Sequence, residues 1–181
     1  MKFFVCAAVT HLSQHDPADK LGFNNKDYNS WSKRLCGLAC LAMILDAYRT
    51  LSVSVAELTR QGVALGGYNN TYGGWLYTPL VRLARSHGLH GQTYREADTA
   101  TITTKLLKNR FFVASVNRKV LRGEPSHVQG GHLVLIVGVK LSDDQPVGFY
   151  MHDPAEKSGP TFITIELFEQ AFGQRGFSVW R

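Results

Sequence analysis

Cys36 is the first residue whose surroundings indicate chemistry, because it directly precedes an apolar run with helical periodicity. The N-terminus of a helix carries unpaired N–H groups and partial positive charge, which stabilise a thiolate over a thiol. A cysteine nucleophile requires that placement, and Gly37 would let a substrate carbonyl approach the Cys36 N–H as an oxyanion donor. The alternative is a small apolar residue entering a core helix, which is how we interpret Cys40 one turn later. This segment alone leaves both interpretations of Cys36 open.

His132 is the second candidate, since it follows Gly130-Gly131 and leads into an apolar run over 133–139. A histidine at the mouth of a buried strand is held rigidly while its ring still reaches an adjoining cleft, as a general base requires. The glycines would leave room for a substrate backbone. The alternative is a histidine that only makes structural hydrogen bonds. His127 lies in a more polar loop and is the weaker candidate.

Asp153 and Gln14 complete the set of candidates. Asp153 precedes Pro154 at the end of an apolar run, where its carboxylate could accept from the ring N–H of His132. Asp-Pro is also an ordinary turn sequence, which is the alternative. Gln14 follows an N-terminal strand that we expect over 3–9, and its amide could be a second oxyanion donor. An exposed loop glutamine is the alternative there.

The elements that must position these residues are helices first and strands later. The run after Cys36 predicts a buried central helix, and a Gly-rich stretch over 62–74 separates it from a second helix that ends at Gly88. We expect a further helix over 99–108. Short β-rich runs follow at 111–116, 132–139, 147–151, 162–165 and 177–180. This order predicts an α+β fold, with a largely antiparallel sheet packed on the early helices.

The composition is that of an ordinary globular protein. The chain has 181 residues, 44% hydrophobic and 19% charged, with no repeat or linker, so we expect one domain over 1–181. The net charge of +6 is spread over short basic groups, such as that over 118–122, which we interpret as solvated surface charge. The sequence has no basic stripe with interleaved aromatic residues, and a nucleic-acid partner is therefore not expected.

The cysteines indicate the compartment and the absence of a metal. Cys6, Cys36 and Cys40 are an odd number in apolar segments, which favours a reducing compartment over a disulfide framework. The N-terminus lacks a clear cleavage site and no stretch is long enough to cross a bilayer, so we expect a cytoplasmic protein without a membrane span. Cys36 and Cys40 match no common zinc signature together with His127 or His132, so no metal or other cofactor is expected.

The candidates taken together resemble a known family. Gln14, Cys36-Gly37, Gly131-His132 and Asp153-Pro154 occur in the order typical of the papain-like clan. The sequence is most similar to the branch of bacteriocin-processing, double-glycine leader peptidases and their stand-alone bacterial relatives. The segment over 35–45 resembles the cysteine helix of that family, and 130–138 resembles its histidine strand. Further similar landmarks are Gly73-Gly74-Trp75 and the strand over 111–116.

The resemblance implies a papain-like fold and a thiol-dependent peptidase or amide hydrolase. It makes Cys36 the nucleophile, His132 the general base and acid, Asp153 the orienting carboxylate and Gln14 an oxyanion donor. In compact papain-like members the oxyanion glutamine lies much closer to the cysteine, so Asn29 is the alternative donor. The implied reaction passes through a thioester and needs no cofactor.

The expected partner is a peptide or protein substrate. Gly73, Gly74, Trp75 and Gly131 are the predicted substrate-binding residues, because aromatic rings and open backbone suit an extended peptide. An inward-folded surface loop over 66–74 is the alternative. Two other functions stay open: a catalytically silent peptide-binding module of the same fold, and an acyltransferase or deamidase that acts on a partner protein.

Overall fold

An antiparallel sheet with helices on both faces forms the centre of the molecule. The computed structural model describes residues 2–5, 8–48, 53–128 and 130–181. The helices are α1 (Asn25–Trp31), α2 (Cys36–Ala47), α3 (Val55–Ala64), α4 (Tyr77–Ser86), α5 (Thr99–Leu107), α6 (Arg118–Leu121) and α7 (Ile165–Ala171). The strands are β1 (Lys2–Val5), β2 (Tyr68–Asn69), β3 (Gly74–Trp75), β4 (His90–Tyr94), β5 (Phe111–Val116), β6 (His132–Ser142), β7 (Gln145–His152), β8 (Thr161–Thr164) and β9 (Phe172–Trp180).

The main sheet has seven strands in the order β4-β9-β5-β6-β7-β8, and β1 also pairs with β6. Every pairing is antiparallel, and β2 and β3 form a separate hairpin. The sheet is composed mainly of residues from the second half of the chain, whereas α1–α4 come from the first half. The predicted α+β class is therefore confirmed.

Helix α2 is buried almost all round, as its continuous apolar sequence predicts. Nine successive residues from Gly37 to Leu45 are buried, and the last turn alone carries exposed Asp46. With α3 and α4, the helix shares one apolar cluster with side chains of the central strands, including Val113 and Leu135. Burial at this density holds the N-terminus of α2 firmly against β6.

The opposite face of the sheet has its own apolar cluster, which α5 and α7 cover. Strand β5 contributes to both clusters because alternate side chains point to opposite faces: Phe111 and Val113 to one, Phe112 and Ala114 to the other. Asp98 caps α5 by accepting from Thr101 N–H. A sheet covered on both faces fixes the strand ends that carry the site.

Several predicted boundaries are wrong. The strand expected over 3–9 ends at Val5, residues 8–13 have no regular structure, and Cys6 lies outside the described residues. Consequently Gln14 follows an irregular segment rather than a strand. The Gly-rich stretch over 62–74 does not start a loop at its first residue, because α3 continues to Ala64.

Seven of these helices and strands were not predicted: α1, α3, β2, β3, β4, α6 and α7. The last of these begins at Ile165, which had been assigned to a strand. Thr164 accepts from Leu167 N–H, and this cap starts a helix where the apolar run alone indicated continued β-structure. Strand β4 is a polar edge strand, so its sequence lacks the apolar alternation on which the other assignments rest.

Candidate active site

Cys36 is the first residue of α2, and a 3₁₀ turn over Ser32–Arg34 precedes it. The side chain is half-buried. Gly37 has a different role from the one expected, because a Cβ there would lie 2.9 Å from Leu133 Cδ1 and 3.1 Å from Leu80 Cδ1. The glycine therefore lets the start of α2 pack closely on β6 and α4, and its missing side chain does not make room for substrate.

His132 and Asp153 lie side by side at one end of the sheet. His132 is the first residue of β6, and Asp153 directly follows β7, the neighbouring antiparallel strand. His132 Nε2 and Asp153 Oδ1 are 2.5 Å apart, and only 14% and 9% of the two side chains is exposed. The His132 ring and the Cys36 thiol line the same cavity and interact electrostatically. Because Nε2 is taken by Asp153, Nδ1 is the ring nitrogen left for the thiol.

The three groups change one another's protonation. Burial raises the pKa of Cys36, but the nearby His132 ring and the backbone of Leu133 and Gly37 together outweigh it, so the pKa of the thiol falls below its ordinary value. Burial lowers the pKa of His132, but its bonds to Asp153 and Cys36 raise that pKa to about 9. Burial opposes ionisation of Asp153, yet His132 holds its pKa at about 2. The arrangement therefore favours a thiolate beside an imidazolium.

Arg118 is a neighbour of the site that the sequence analysis missed. Its Nε donates to Asp153 Oδ2 at 3.0 Å, on the opposite side of the carboxylate from His132. Its guanidinium also reaches Glu156, which accepts from Arg122 as well. The basic group over 118–122 is thus not only solvated surface charge. The i, i+4 spacing of the two arginines was visible in the sequence, but their acidic partners were not.

Ser115 is a second missed residue, and it shapes the loop in front of His132. Its hydroxyl oxygen accepts from Gly131 N–H at 3.2 Å. A Cβ at Gly130 would lie 2.6 Å from Ser115 Oγ, and both glycines have positive φ angles, 76° and 104°. The Gly-Gly pair is therefore required by the backbone path that brings the chain into β6.

A cavity of about 470 Å³ opens beside Cys36 and His132. Its lining includes all four of the predicted substrate-binding residues, Gly73, Gly74, Trp75 and Gly131. A Cβ on any of these three glycines would meet no protein atom within 4 Å. Trp75 Nε1 donates to Arg34 O at 2.6 Å, which ties the wall of the cavity to the turn before Cys36. The alternative of an inward-folded loop holds for Trp75, which is 7% exposed, but not for Tyr72, which is 83% exposed.

Gln14 is buried rather than exposed, so the exposed-loop alternative is wrong. Its N–H donates to Pro154 O at 2.7 Å, directly after Asp153, and the side chain is 5% exposed. Among the described residues, its buried Oε1 has no hydrogen-bond partner. Asn29 lies exposed on α1. Neither residue is part of the cavity lining beside Cys36.

Cys40 is a core residue, as predicted. It is fully buried, its thiol lies 3.6 Å from Leu133 O, and burial raises its pKa well above the ordinary value. A thiol in that state is unreactive. His127, the weaker candidate for a base, is exposed outside the cavity.

His152 is a buried histidine one residue before Asp153, and it pairs with another histidine. Its Nδ1 lies 3.0 Å from His11 Nδ1, and the two rings stack with centroids 5.2 Å apart. His11 Nε2 donates to Glu156 O at 3.0 Å, so His11 Nδ1 is the acceptor and His152 Nδ1 the donor. Burial and the nearby His11 lower the pKa of His152 to about 4.

Comparison with known proteins identifies the family to which this site belongs. The model of the Peptidase_C39 like family matches residues 7–179, which is nearly the whole chain. The chain belongs to the Peptidase_C39 like family. The expected resemblance to double-glycine leader peptidases and their stand-alone relatives is thereby confirmed. No curated protein matches the sequence.

Solved structures show that this Peptidase_C39 like chain has the papain-like fold that was expected. One is a double glycine motif protease from an AMS/PCAT transporter in complex with the leader peptide: 20% identity, TM-score 0.56, covering 99% of this chain and 97% of that one. A C39-like peptidase from Bacillus anthracis has 15% identity and TM-score 0.65, with 100% and 98% covered. The peptidase domain of Streptococcus ComA, a bi-functional ABC transporter of a quorum-sensing pathway, has 17% identity and TM-score 0.59, with 82% and 92% covered.

Two further observations concern the C39-like chain as a whole. Within the described ranges, no helix is long and apolar enough to cross a membrane. In the same part of the chain, no group of three or more His, Cys, Asp and Glu side chains is placed to hold a metal ion.

Proposed function

We propose that this protein is a cysteine peptidase or a closely related amide hydrolase, with Cys36 as nucleophile, His132 as general base and acid, and Asp153 as the orienting carboxylate. One observation carries the proposal: a thiol, an imidazole and a carboxylate lie together beside an open cavity, and the imidazole is hydrogen-bonded to the carboxylate. Membership of a peptidase family and a papain-like fold support it.

The first half of the reaction forms a thioester. The Cys36 thiolate attacks the carbonyl carbon of an amide, a C–S bond forms, and an electron pair moves onto the carbonyl oxygen. When this intermediate collapses, the C–N bond breaks and the His132 imidazolium gives its proton to the leaving amine. Asp153 keeps the ring oriented and stabilises its positive charge.

The second half returns the free enzyme. His132, now neutral, takes a proton from water, and the resulting hydroxide attacks the thioester carbonyl. The C–S bond breaks, a carboxylic acid leaves, and the thiolate and imidazolium pair forms again. If an amine or another nucleophile replaced water, the same first half would lead to acyl transfer.

The oxyanion needs hydrogen-bond donors close to Cys36. The N–H groups in the first turn of α2 have no partner within the helix, so the Cys36 N–H is one donor. From the family resemblance we infer that Gln14 is the second donor: it lies outside the cavity lining, but it is buried and its N–H donates to Pro154 O, directly after Asp153. Asn29 is the less suitable donor because it lies exposed on α1.

The substrate that the cavity suits is an extended peptide. Gly73, Gly74 and Gly131 leave open space beside His132, and Trp75 forms an apolar wall. A double glycine motif protease with this fold binds a leader peptide. These observations support a peptide or a protein segment as the substrate.

The test compares two cysteines on one helix. Purified protein is incubated with a library of synthetic peptides, and mass spectrometry identifies new termini, deamidated residues and acyl adducts. We expect cleavage that Cys36→Ala abolishes and that Cys40→Ala, the matched control, retains. A thioester trapped on Cys36 would support the mechanism directly.

Other outcomes separate the alternatives. Deamidation or acyl transfer that depends on Cys36 would replace peptide hydrolysis as the activity. Peptides that bind the Cys36→Ala variant and the parent equally, with no chemical change, would identify a silent binding module. Cleavage that persists in Cys36→Ala would overturn the proposal.

A further inference from the structure

The cavity beside Cys36 is lined by positively charged side chains. Besides His132, three of its lining residues are cationic, Lys33, Arg34 and Arg175, and none of the described residues that line it is Asp or Glu. They come from two separate parts of the chain: the 3₁₀ turn that precedes Cys36 and strand β9. A concave surface lined by charges of one sign raises the local concentration of ions of the opposite sign.

Arg34 is held where it can meet a substrate. Its guanidinium lies over the ring of Tyr68 at 5.6 Å from the centroid, and its carbonyl oxygen accepts from Trp75 Nε1. Both aromatic residues belong to the β2–β3 hairpin, and Trp75 also lines the cavity. A guanidinium already ordered against a ring loses less conformational freedom when it binds an anion.

Arg175 lies beside the loop that leads to His132. Its Nη2 and Nε are 3.3 Å and 3.6 Å from the position that a Cβ on Gly130 would occupy. The next residue in the chain, Gly131, lines the cavity with open space beside it. A peptide that crosses this open surface to reach Cys36 would therefore pass close to Arg175 as well as Arg34.

We propose that Arg34 and Arg175, with Lys33, form a carboxylate-binding subsite that selects acidic peptides, with Glu or Asp flanking the bond at Cys36. Arginine suits this role because its planar fork pairs with a carboxylate through two hydrogen bonds. The net charge of +6 favours the approach of such a peptide. The inference rests on the proposed function in one respect, that the bound peptide has a bond placed at Cys36 for attack. The preference for acidic peptides is a property of binding and needs no turnover.

The first test uses two small reagents that differ in charge. Iodoacetate is anionic and iodoacetamide is neutral, and both alkylate the same thiolate, so a change in the pKa of Cys36 cancels from the ratio of their rates. The measured quantity is the iodoacetate rate divided by the iodoacetamide rate, normalised to the same quotient for 2-mercaptoethanol. We expect it to be about three- to tenfold lower in the double variant Arg34→Gln, Arg175→Gln than in the parent protein. Arg82→Gln, an exposed residue of α4 outside the cavity, is the matched control and should leave the ratio unchanged.

Salt provides an independent check on the same ratio. Raising the salt concentration from about 0.1 M to about 1 M shortens the screening length from about 10 Å to about 3 Å. The preference of the parent protein for iodoacetate should then fall towards that of the double variant. A ratio that neither the substitutions nor salt changes would overturn the proposal.

The second test measures peptides directly. Paired synthetic peptides carry Gly-Gly at the centre and either Glu or Gln on both sides, and they are titrated against the Cys36→Ala variant. We expect the Glu peptide to bind about fivefold or more tightly, and Arg34→Gln with Arg175→Gln to remove the difference. Equal binding, or no binding of either peptide, would overturn the proposal.

The two tests separate this inference from the proposed function. Charge selectivity without any cleavage would mean that the proposed peptidase activity fails and the subsite stands. Cleavage that depends on Cys36 but proceeds equally with Glu and Gln flanks would mean that the peptidase activity stands and the proposed subsite fails.

Discussion

His132, which is mostly buried, and His152, which is fully buried, lie at the same end of the sheet on the adjacent strands β6 and β7, but their pKa values move in opposite directions. His132 contacts a carboxylate and a thiol, and its pKa rises to about 9. His152 contacts a second histidine, and its pKa falls to about 4. Burial favours the neutral form of both rings, so the charge of the neighbour decides which histidine is a cation at neutral pH.

The comparison shows why only one of the two suits acid–base chemistry. A ring that holds its proton beside a thiol can protonate a leaving amine, whereas a neutral ring locked against His11 can only donate a structural hydrogen bond. The sequence presents His152 directly beside Asp153, and adjacency along the chain alone would have made it the attractive partner. Strand pairing instead places His132 against that carboxylate.

The largest expected effect separates the two histidines by substitution. His132→Ala should reduce amide hydrolysis by more than about a thousandfold, because the reaction loses its base and its acid. It should also raise the pKa of Cys36 towards its ordinary value, as read from the rate of iodoacetamide alkylation against pH. His152→Gln is the control and should leave the alkylation profile unchanged. Equal shifts of the profile in the two variants would contradict the comparison.

Asp153→Asn should have the next largest effect. Without the carboxylate the ring loses its orientation and its cationic form is less stable, which should lower kcat by about a hundredfold to ten-thousandfold. The pKa of His132 should fall from about 9 towards 6.5, so NMR titration of the ring should detect the change. The basic limb of kcat/KM against pH should move in the same direction. A His132 that still titrates near 9 in this variant would refute the assignment.

Arg118→Met should have a smaller effect, about threefold to tenfold in kcat with little change in KM. It removes the hydrogen bond to Asp153 Oδ2, so the carboxylate should be less firmly placed and its pKa should rise. Arg122→Met is the matched control, because Arg122 contacts Glu156 and not Asp153. Equal loss in both variants would mean that Arg118 acts through the stability of the loop and not through Asp153.

The smallest effect concerns stability in acid. The pKa of His152 is depressed in the folded state. The stability that the neutral ring contributes is therefore fully present above pH 6.5 and is lost as the pH falls towards 4. Each pKa unit corresponds to about 1.4 kcal/mol, and we expect the parent protein to lose about 1 to 3 kcal/mol more than His152→Gln over this interval. Urea unfolding at several pH values measures the difference. Parallel pH profiles for the two proteins would contradict it.

The sequence predicted the parts of the fold that depend on apolar periodicity. Helix α2 and strand β5 were placed within one residue, because unbroken or alternating burial leaves a direct mark on the sequence. Elements such as β4 and α7 were missed, because a polar edge and a cap defined by a single threonine leave little mark. The single domain over 1–181 stays a prediction, and one cooperative calorimetric transition would support it.

The site was predictable only in part, for a related reason. Cys36, His132 and Asp153 were nominated by their places at the ends of elements, and the structure brings them together. Arg118 and Ser115 were missed because their importance comes from tertiary contacts, to Asp153 and to Gly131, that no local pattern encodes.

The N-terminal segment around Gln14 has a consequence for folding. Ser13 Oγ donates to Pro154 O across 141 residues of chain, and His11 meets His152 across the same separation. Closing so long a loop costs conformational entropy that contacts within the segment do not offset. The long-range contacts of His11 and Ser13 are therefore expected to form late in folding. During synthesis, His11 and Ser13 cannot make these contacts until the residues 141 positions later have been added. The same order holds for the candidate site, because the Cys36 thiol is synthesised well before the His132 imidazole and the Asp153 carboxylate.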